Sequence, residues 1–368
     1  MLDDVLRAAV PEVASAAVAM IAVGGRTAAA GAVGEAVRYA DASERVLADR
    51  PPVTLGSVFD IASITKPFTT LVLLSLAADG RVGLDEPVAT WLPRHYGGRP
   101  EITLRHLLTH TSGLPAGRRV EKEPARLRWE LVLSTPAERP PGAHLYSDVG
   151  MITAGRVAEI AGGAPLDVLV RERITGPLGL ADTLYHPGPS LLPRIVATEC
   201  KTGRGSGCVR GEVHDETAYA LGGVTGHAGL FSTADDLLRF GEALRTGGAG
   251  AVPPAAIVEM IRDQGVGSEA DADAPGPGHQ QGLSYRQELG YRQALGVRIG
   301  DPAIVGPLTG AFGHSGFTGT SLVVDPVRRL TVVLLTNNVH PIRGRPGIRE
   351  LRTAVAAEAL RLTQPPPP

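Results

Sequence analysis

The stretch Phe59-Asp60-Ile61-Ala62-Ser63-Ile64-Thr65-Lys66-Pro67-Phe68-Thr69-Thr70 runs into Leu71-Val72-Leu73-Leu74-Ser75-Leu76-Ala77-Ala78 and stops at Asp79-Gly80. An unbroken run of this length closed by a glycine predicts one helix. It is apolar on every side, so it should be buried all round. A buried helix has no packing use for a hydroxyl and an ammonium at its first turn. Ser63 and Lys66 stand there three residues apart, on one face. The helix N-terminus offers free backbone N–H groups and favours developing negative charge. The same field disfavours a protonated lysine and pushes it toward the basic form. A serine beside such a lysine is an activated nucleophile. Pro67 sits at the edge of what a first turn tolerates, so that turn should be tight or irregular.

Outward from this helix the chain divides. Residues 1–10 read as a helix. The apolar stretch Val13 to Val23, the turn Gly24-Gly25-Arg26 and Thr27 to Val33 predict a β-hairpin. The apolar stretch is too short to span a bilayer, and Met1-Leu2-Asp3-Asp4 is acidic where a secretory signal would be basic. A cytoplasmic address is expected. Ala40 to Pro52 is polar and reads as a loop. From about 81 to 214 the pattern is helical and loop-rich, clearest at Met151 to Ile160 and Leu166 to Ile174. Strand-like runs return at Ala311 to Thr320, Ser321 to Asp325 and Leu330 to Leu335, and Ile348 to Leu362 predicts a last amphipathic helix.

Strands first and last with helices between predict an α+β fold. It has one antiparallel sheet, flanked by helices and built from both chain ends. Residues 1–80 and 215–368 should form the sheet domain and 81–214 an inserted, mainly helical domain. Residues 264–282 should be a flexible loop and Pro365 to Pro368 a disordered tail.

Composition narrows the function. The 368 residues carry 36 Lys and Arg against 38 Asp and Glu, a net charge of −2. No basic surplus points to nucleic acid or an anionic membrane. Cys200 and Cys208 flank a glycine-rich segment without the histidines of a zinc site. They can bond or stay apart, and free thiols are the expectation. His106 and His110 lack a third ligand and read as structural. His227 lies in a glycine-rich turn that can pack near the site. No metal or cofactor is expected. The sequence sets no oligomeric state.

Two more motifs follow the first in order: Tyr146-Ser147-Asp148 ahead of a helix, and His314-Ser315-Gly316-Phe317 in the late strands. With Ser63-Ile64-Thr65-Lys66, the set resembles the serine β-lactamase and penicillin-binding-protein superfamily. The resemblance is to its class C-like branch, with family VIII carboxylesterases, D-aminopeptidases and transacylases. The stretches Leu104 to Leu114 and Leu221 to Leu237 are similar to that family's connecting text, so the resemblance runs from about residue 10 to 362.

It implies a serine hydrolase acting on an ester or amide through an acyl-Ser63 intermediate. The alternatives are a transacylase, a D,D-peptidase or β-lactamase activity, or a silent binding module. It implies that Lys66 and Tyr146 share proton transfer, and that the amides of Ser63 and Phe317 form the oxyanion hole. Asp148, His314, Ser315, Gly316 and Phe317 would meet the substrate. Asp148 replaces an asparagine that donates to substrate, and an ionised aspartate only accepts. It would bind a substrate amine or simply hold Lys66. His314 replaces a lysine, so attraction for a substrate carboxylate should be weak. It should return as the imidazole charges between pH 8 and pH 6.

Overall fold

The computed structural model describes residues 1–201, 204, 207–266 and 290–364. Most of the 264–282 stretch and the 365–368 tail lie outside the described residues.

Strands β1 (Ala16–Val23) and β2 (Arg26–Gly34) form the expected hairpin. Its turn uses Gly24 and Gly25 at φ of 60° and 85°, the left-handed pair that a two-residue hairpin turn requires. β3 (Phe59–Asp60) and β4 (Phe231–Ser232) make a separate two-stranded ladder. β5 (Arg292–Gln293), β6 (Arg298–Ile299), β7 (Phe312–Ser315), β8 (Ser321–Asp325) and β9 (Leu330–Thr336) complete a seven-stranded sheet. Its order is β2-β1-β9-β8-β7-β6-β5, and every pairing is antiparallel. The first strand therefore pairs with the last, Val18 opposite Leu335 and Met20 opposite Val333. The run predicted from Ala311 to Thr320 is a strand only over 312–315. Residues 316–320 fold back as a turn, with the Gly316 amide donating to the Thr320 carbonyl at 2.8 Å.

Both faces of the sheet are covered, so its central strands are apolar without alternation. The period of two still sorts their side chains. Ala16, Val18 and Met20 join a core shared with the central helix Thr65–Ala78 and with helices Asp148–Gly162 and Ala234–Arg245. Ala17, Ala19 and Ile21 join a second core with helices Leu2–Ala9 and Ile348–Leu362. The central helix is buried from Thr65 to Leu76. Its Phe68 ring stacks on Phe240 at 3.8 Å. Fully burying such a side chain is worth about 1.5–3 kcal/mol.

The glycine-rich segment 221–229 has a packing reason. A Cβ on Gly226 would fall on the Met151 carbonyl, and one on Gly155 would come within 2.9 Å of the Gly226 amide nitrogen. Only paired glycines let this segment lie against helix Asp148–Gly162. Cys200 and Cys208 are joined as a disulfide, against the expectation of free thiols. Sequence spacing carries no information on whether a glycine-rich loop doubles back. His340 lies beside them, but its Nδ1 donates to the Thr198 carbonyl at 2.8 Å and its Nε2 accepts the Arg38 and Tyr39 amides at 3.2 Å each. That imidazole has no free nitrogen for a metal.

Candidate active site

Ser63 does not open the α-helix itself. It sits in a short 3₁₀ turn, Ala62–Ile64, which leads into Thr65–Ala78. This is the irregular turn that Pro67 predicts. Ala62 holds a φ of 46°, a conformation costing a non-glycine residue on the order of 1–3 kcal/mol. Strain of this kind next to a nucleophile fixes the direction in which its hydroxyl projects.

Three elements meet at that hydroxyl. Lys66 Nζ donates to Ser63 Oγ at 2.8 Å. The Tyr146 hydroxyl donates to the same oxygen at 3.2 Å. Tyr146 stands one residue before Ser147, the N-cap of helix Asp148–Gly162, whose hydroxyl accepts the Gly150 amide at 2.9 Å and donates to the Pro115 carbonyl at 2.7 Å. Asp148 is the first residue of that helix, where the macrodipole favours its charge. It faces Lys66, with Oδ1 2.8 Å from Nζ. The contact is an ion pair, not an aligned hydrogen bond.

The charge state of Lys66 differs from the sequence expectation. Lys66 is fully buried, and burial alone would lower its pKa. The Asp148 carboxylate and the Tyr146 oxygen outweigh burial and raise it above the usual lysine value. Lys66 therefore stays an ammonium through the neutral range. The helix field is the wrong quantity to weigh, because a carboxylate in contact acts more strongly than a partial charge at a helix end. Lys66 Nζ also donates to the His227 carbonyl at 3.4 Å.

His314 is buried on β7, its ring centroid 6.3 Å from that of Tyr146. Nδ1 donates to the Ser315 carbonyl at 2.8 Å, which leaves Nε2 as an acceptor. Burial, helped by the charges of Lys66 and Arg298, pushes its pKa well below the usual value. This shift favours the neutral imidazole, against the expected return of positive charge toward pH 6. We predict that the ratio of nitrocefin to nitrophenyl butyrate turnover stays flat from pH 8 to pH 6. A rise at pH 6 that disappears in His314→Gln would contradict this.

Ser315 is half-buried at the end of β7, Gly316 is buried and Phe317 is exposed. The glycine at 316 is required by packing. A Cβ there would strike the Thr320 hydroxyl and lie 2.5 Å from the Ile61 carbonyl. The missing side chain lets the 316–320 turn press against the residues just before Ser63. The two amides named for the oxyanion hole therefore belong to adjoining segments. The Phe317 amide has no hydrogen-bond partner among the described residues.

Two contributors, Asp215 and Arg298, have no readable signal in the sequence, and His110 and His227 take supporting places. His110 Nδ1 accepts the Ser147 amide at 3.1 Å, and its ring lies 4.5 Å from the Tyr146 ring. Its structural reading holds, but it supports the Tyr146 turn. His227 bridges Thr225 Oγ1 at 2.9 Å and Asp215 Oδ1 at 3.0 Å. Burial opposes the charge of Asp215, yet the neighbouring His227 holds its pKa below the usual carboxylate range. Arg298 lies over the Tyr146 ring at 5.1 Å and pairs with Asp301 at 2.9 Å. It comes from β6, a two-residue strand too short to leave a pattern.

The profile of the Beta-lactamase family matches residues 3–357. This chain belongs to the Beta-lactamase family. It is an enzyme of that family's serine hydrolase and acyltransferase type. A relative from Escherichia coli (strain K12), provisionally named a D-alanyl-D-alanine carboxypeptidase, is 31% identical over 330 residues, covering 80% of this chain and 72% of its own. Among solved structures, EstCE1, described as a hydrolase with promiscuous acyltransferase activity, superposes with a TM-score of 0.70 at 24% identity, covering 96% of this chain and 97% of its own. Unliganded simvastatin synthase from Aspergillus terreus, as the selenomethionyl derivative, superposes with a TM-score of 0.75 at 22% identity, covering 99% and 98%. These two likenesses show the fold. Among the described residues no helix is long and apolar enough to cross a membrane.

Proposed function

We propose that this Beta-lactamase family member transfers the acyl group of a small, uncharged ester or amide through an acyl-Ser63 intermediate, with Tyr146 as the base. The observation that carries this reading is the convergence of Lys66 Nζ and the Tyr146 hydroxyl on Ser63 Oγ, at 2.8 and 3.2 Å. Lys66 and Tyr146 exchange protons as a unit. Asp148, by pairing with Lys66, biases the shared proton to the lysine and leaves the tyrosine oxygen to act.

In acylation the reactive form of the pair carries one proton fewer, an ammonium on Lys66 and a phenolate on Tyr146, so Ser63 Oγ attacks the carbonyl carbon and its proton passes to that phenolate. The carbonyl oxygen takes up negative charge facing the amides of Ser63 and Phe317. The tetrahedral intermediate collapses, the bond to the leaving group breaks, and Tyr146 returns the proton to it. Water or an acceptor alcohol then repeats the sequence on the ester. The division into a sheet part (1–80 and 215–368) and an inserted part (81–214) suits this chemistry. Tyr146 and Asp148 come from the insert, and Ser63, Lys66 and His314 from the rest.

Substrate charge follows from the same groups. Lys66 is neutralised by Asp148, Arg298 by Asp301, and His314 is uncharged. None offers a free cation to a carboxylate, so neutral esters should exceed penicillins and cephalosporins in kcat/KM. Intact-mass spectrometry after a panel of esters, lactams and D-amino acid amides tests this. Mass gain of one acyl group at Ser63 with esters is expected, and labelling by lactams alone would overturn the preference. A second reading, cleavage of a D-alanyl peptide, is favoured by the name of the Escherichia coli relative, and the amide arm of the panel addresses it.

The Asp148 role has its own test. Asp148→Asn removes the larger of the two influences that raise the Lys66 pKa, so burial should draw it down. The alkaline limb of the pH–rate profile for nitrophenyl butyrate should then move to lower pH, at unchanged KM. An alkaline limb that stays in place would remove Asp148 from the mechanism.

A further inference from the structure

We propose that Asp60 is the positioning residue that sets the spacing between the two oxyanion donors, a role that rests on the acyl-Ser63 reading. Its side chain is buried, burial pushes its pKa above the usual carboxylate value, and no ion pair to it forms among the described residues. Burying an unpaired carboxylate is costly unless its oxygens are hydrogen-bonded. Here both are. Oδ1 accepts the Ala62 amide at 2.8 Å, and Oδ2 accepts the His214 amide at 2.6 Å.

Each bond reaches one side of the site. The first holds Ala62, the residue in the left-handed region directly before Ser63. It fixes the strained turn from which the Ser63 amide points. The second holds His214, whose ring stacks against the Phe317 ring with centroids 5.7 Å apart and planes 27° apart. The backbone of Asp60 adds a third tie, since its carbonyl accepts the Thr318 hydroxyl at 2.8 Å. One residue on, the Ile61 carbonyl accepts the Thr320 hydroxyl at 3.2 Å. The turn carrying the Phe317 amide is thus held to residues 60–61, and the turn carrying the Ser63 amide is held by the Asp60 side chain. The ladder of Phe59–Asp60 with Phe231–Ser232 anchors the residue from behind.

A carboxylate can accept both amides, whereas a carboxamide accepts one and turns an N–H toward the other. Asp60→Asn is therefore nearly isosteric and breaks one tie. Oxyanion donors act only if they sit where the charge develops, and misplacing one costs about 10²–10³ in kcat. The expected result for Asp60→Asn is a kcat for nitrophenyl butyrate lower by about 10²-fold, with KM nearly unchanged. Inhibition by phenylboronic acid, whose tetrahedral Ser63 adduct needs the same two amides, should weaken in parallel. Thr318→Val, which keeps the carboxylate and removes the third tie, should show the same split to a smaller degree. It also carries the test should Asp60→Asn fail to fold.

A merely structural role predicts something else: a lower melting temperature, with kcat and boronic acid affinity per folded molecule unchanged. That result in both variants would overturn the proposal. Titration of Ser63 with a fluorophosphonate counts the competent sites and separates the two layers of inference. Wild type that takes up no label at Ser63 would overturn the acyl-enzyme reading, and this proposal with it. Labelled wild type beside an Asp60→Asn protein of undiminished kcat would overturn the Asp60 role alone.

Discussion

Ser63→Ala should lower turnover of nitrophenyl butyrate by on the order of 10⁶, the scale of removing a nucleophile that works as one unit with its base. The protein should remain folded. Ser63 is half-buried and its hydroxyl caps no helix. Lys66 loses one acceptor and keeps Asp148 at 2.8 Å and the His227 carbonyl at 3.4 Å, so no charge is left bare. A stability change within about 1 kcal/mol is expected for a site of this kind. Thermal unfolding and a single-turnover assay check the two halves separately. A variant that still accumulates acyl-enzyme would place the nucleophile elsewhere.

Tyr146→Phe should cost about 10²–10⁴ in kcat, the usual share of a positioned acid–base group. The substitution deletes one oxygen and leaves the ring. The ring's neighbours then keep the site in shape: His110 with centroids 4.5 Å apart, Lys66 Nζ 4.8 Å above it and Arg298 5.1 Å away. Lys66 still donates to Ser63, so residual activity should exceed that of Ser63→Ala. The loss should appear in acylation, measured before any product release, with KM little changed. An acylation rate and a pH profile equal to those of wild type would remove Tyr146 from the chemistry and return the base role to Lys66.

Ser63 and Lys66 are legible in the sequence because their chemistry conflicts with their surroundings. A hydroxyl and an amine at the mouth of an all-apolar helix have no packing use. Tyr146 joins them through three motifs in fixed order, which tie that helix to a known family. Local pattern and folded structure also agree at the hairpin 16–34 and at the last helix, Ile348–Leu362. Legibility ends where a group's behaviour depends on one neighbour distant in sequence. The helix field alone implies a neutral Lys66, yet it is charged, because Asp148, far along the chain, lies 2.8 Å away. An unperturbed His314 would titrate within the working range, but burial and two nearby cations prevent it.

The sequence by itself determined the α+β architecture, the antiparallel sheet built from both chain ends, and Ser63 with Lys66 on one helical face. Each follows from periodicity, turn residues and spacing, which act over a few residues. Tertiary structure alone decided the charge on Lys66, the tautomer of His314 and the supports from His110, Asp60 and Arg298. It also decided the bond between Cys200 and Cys208. Those properties depend on electrostatics and hydrogen bonds that fall off within a few ångströms. They exist only once β7, the 214–227 segment and the turn before helix Asp148–Gly162 have been packed around the start of the central helix.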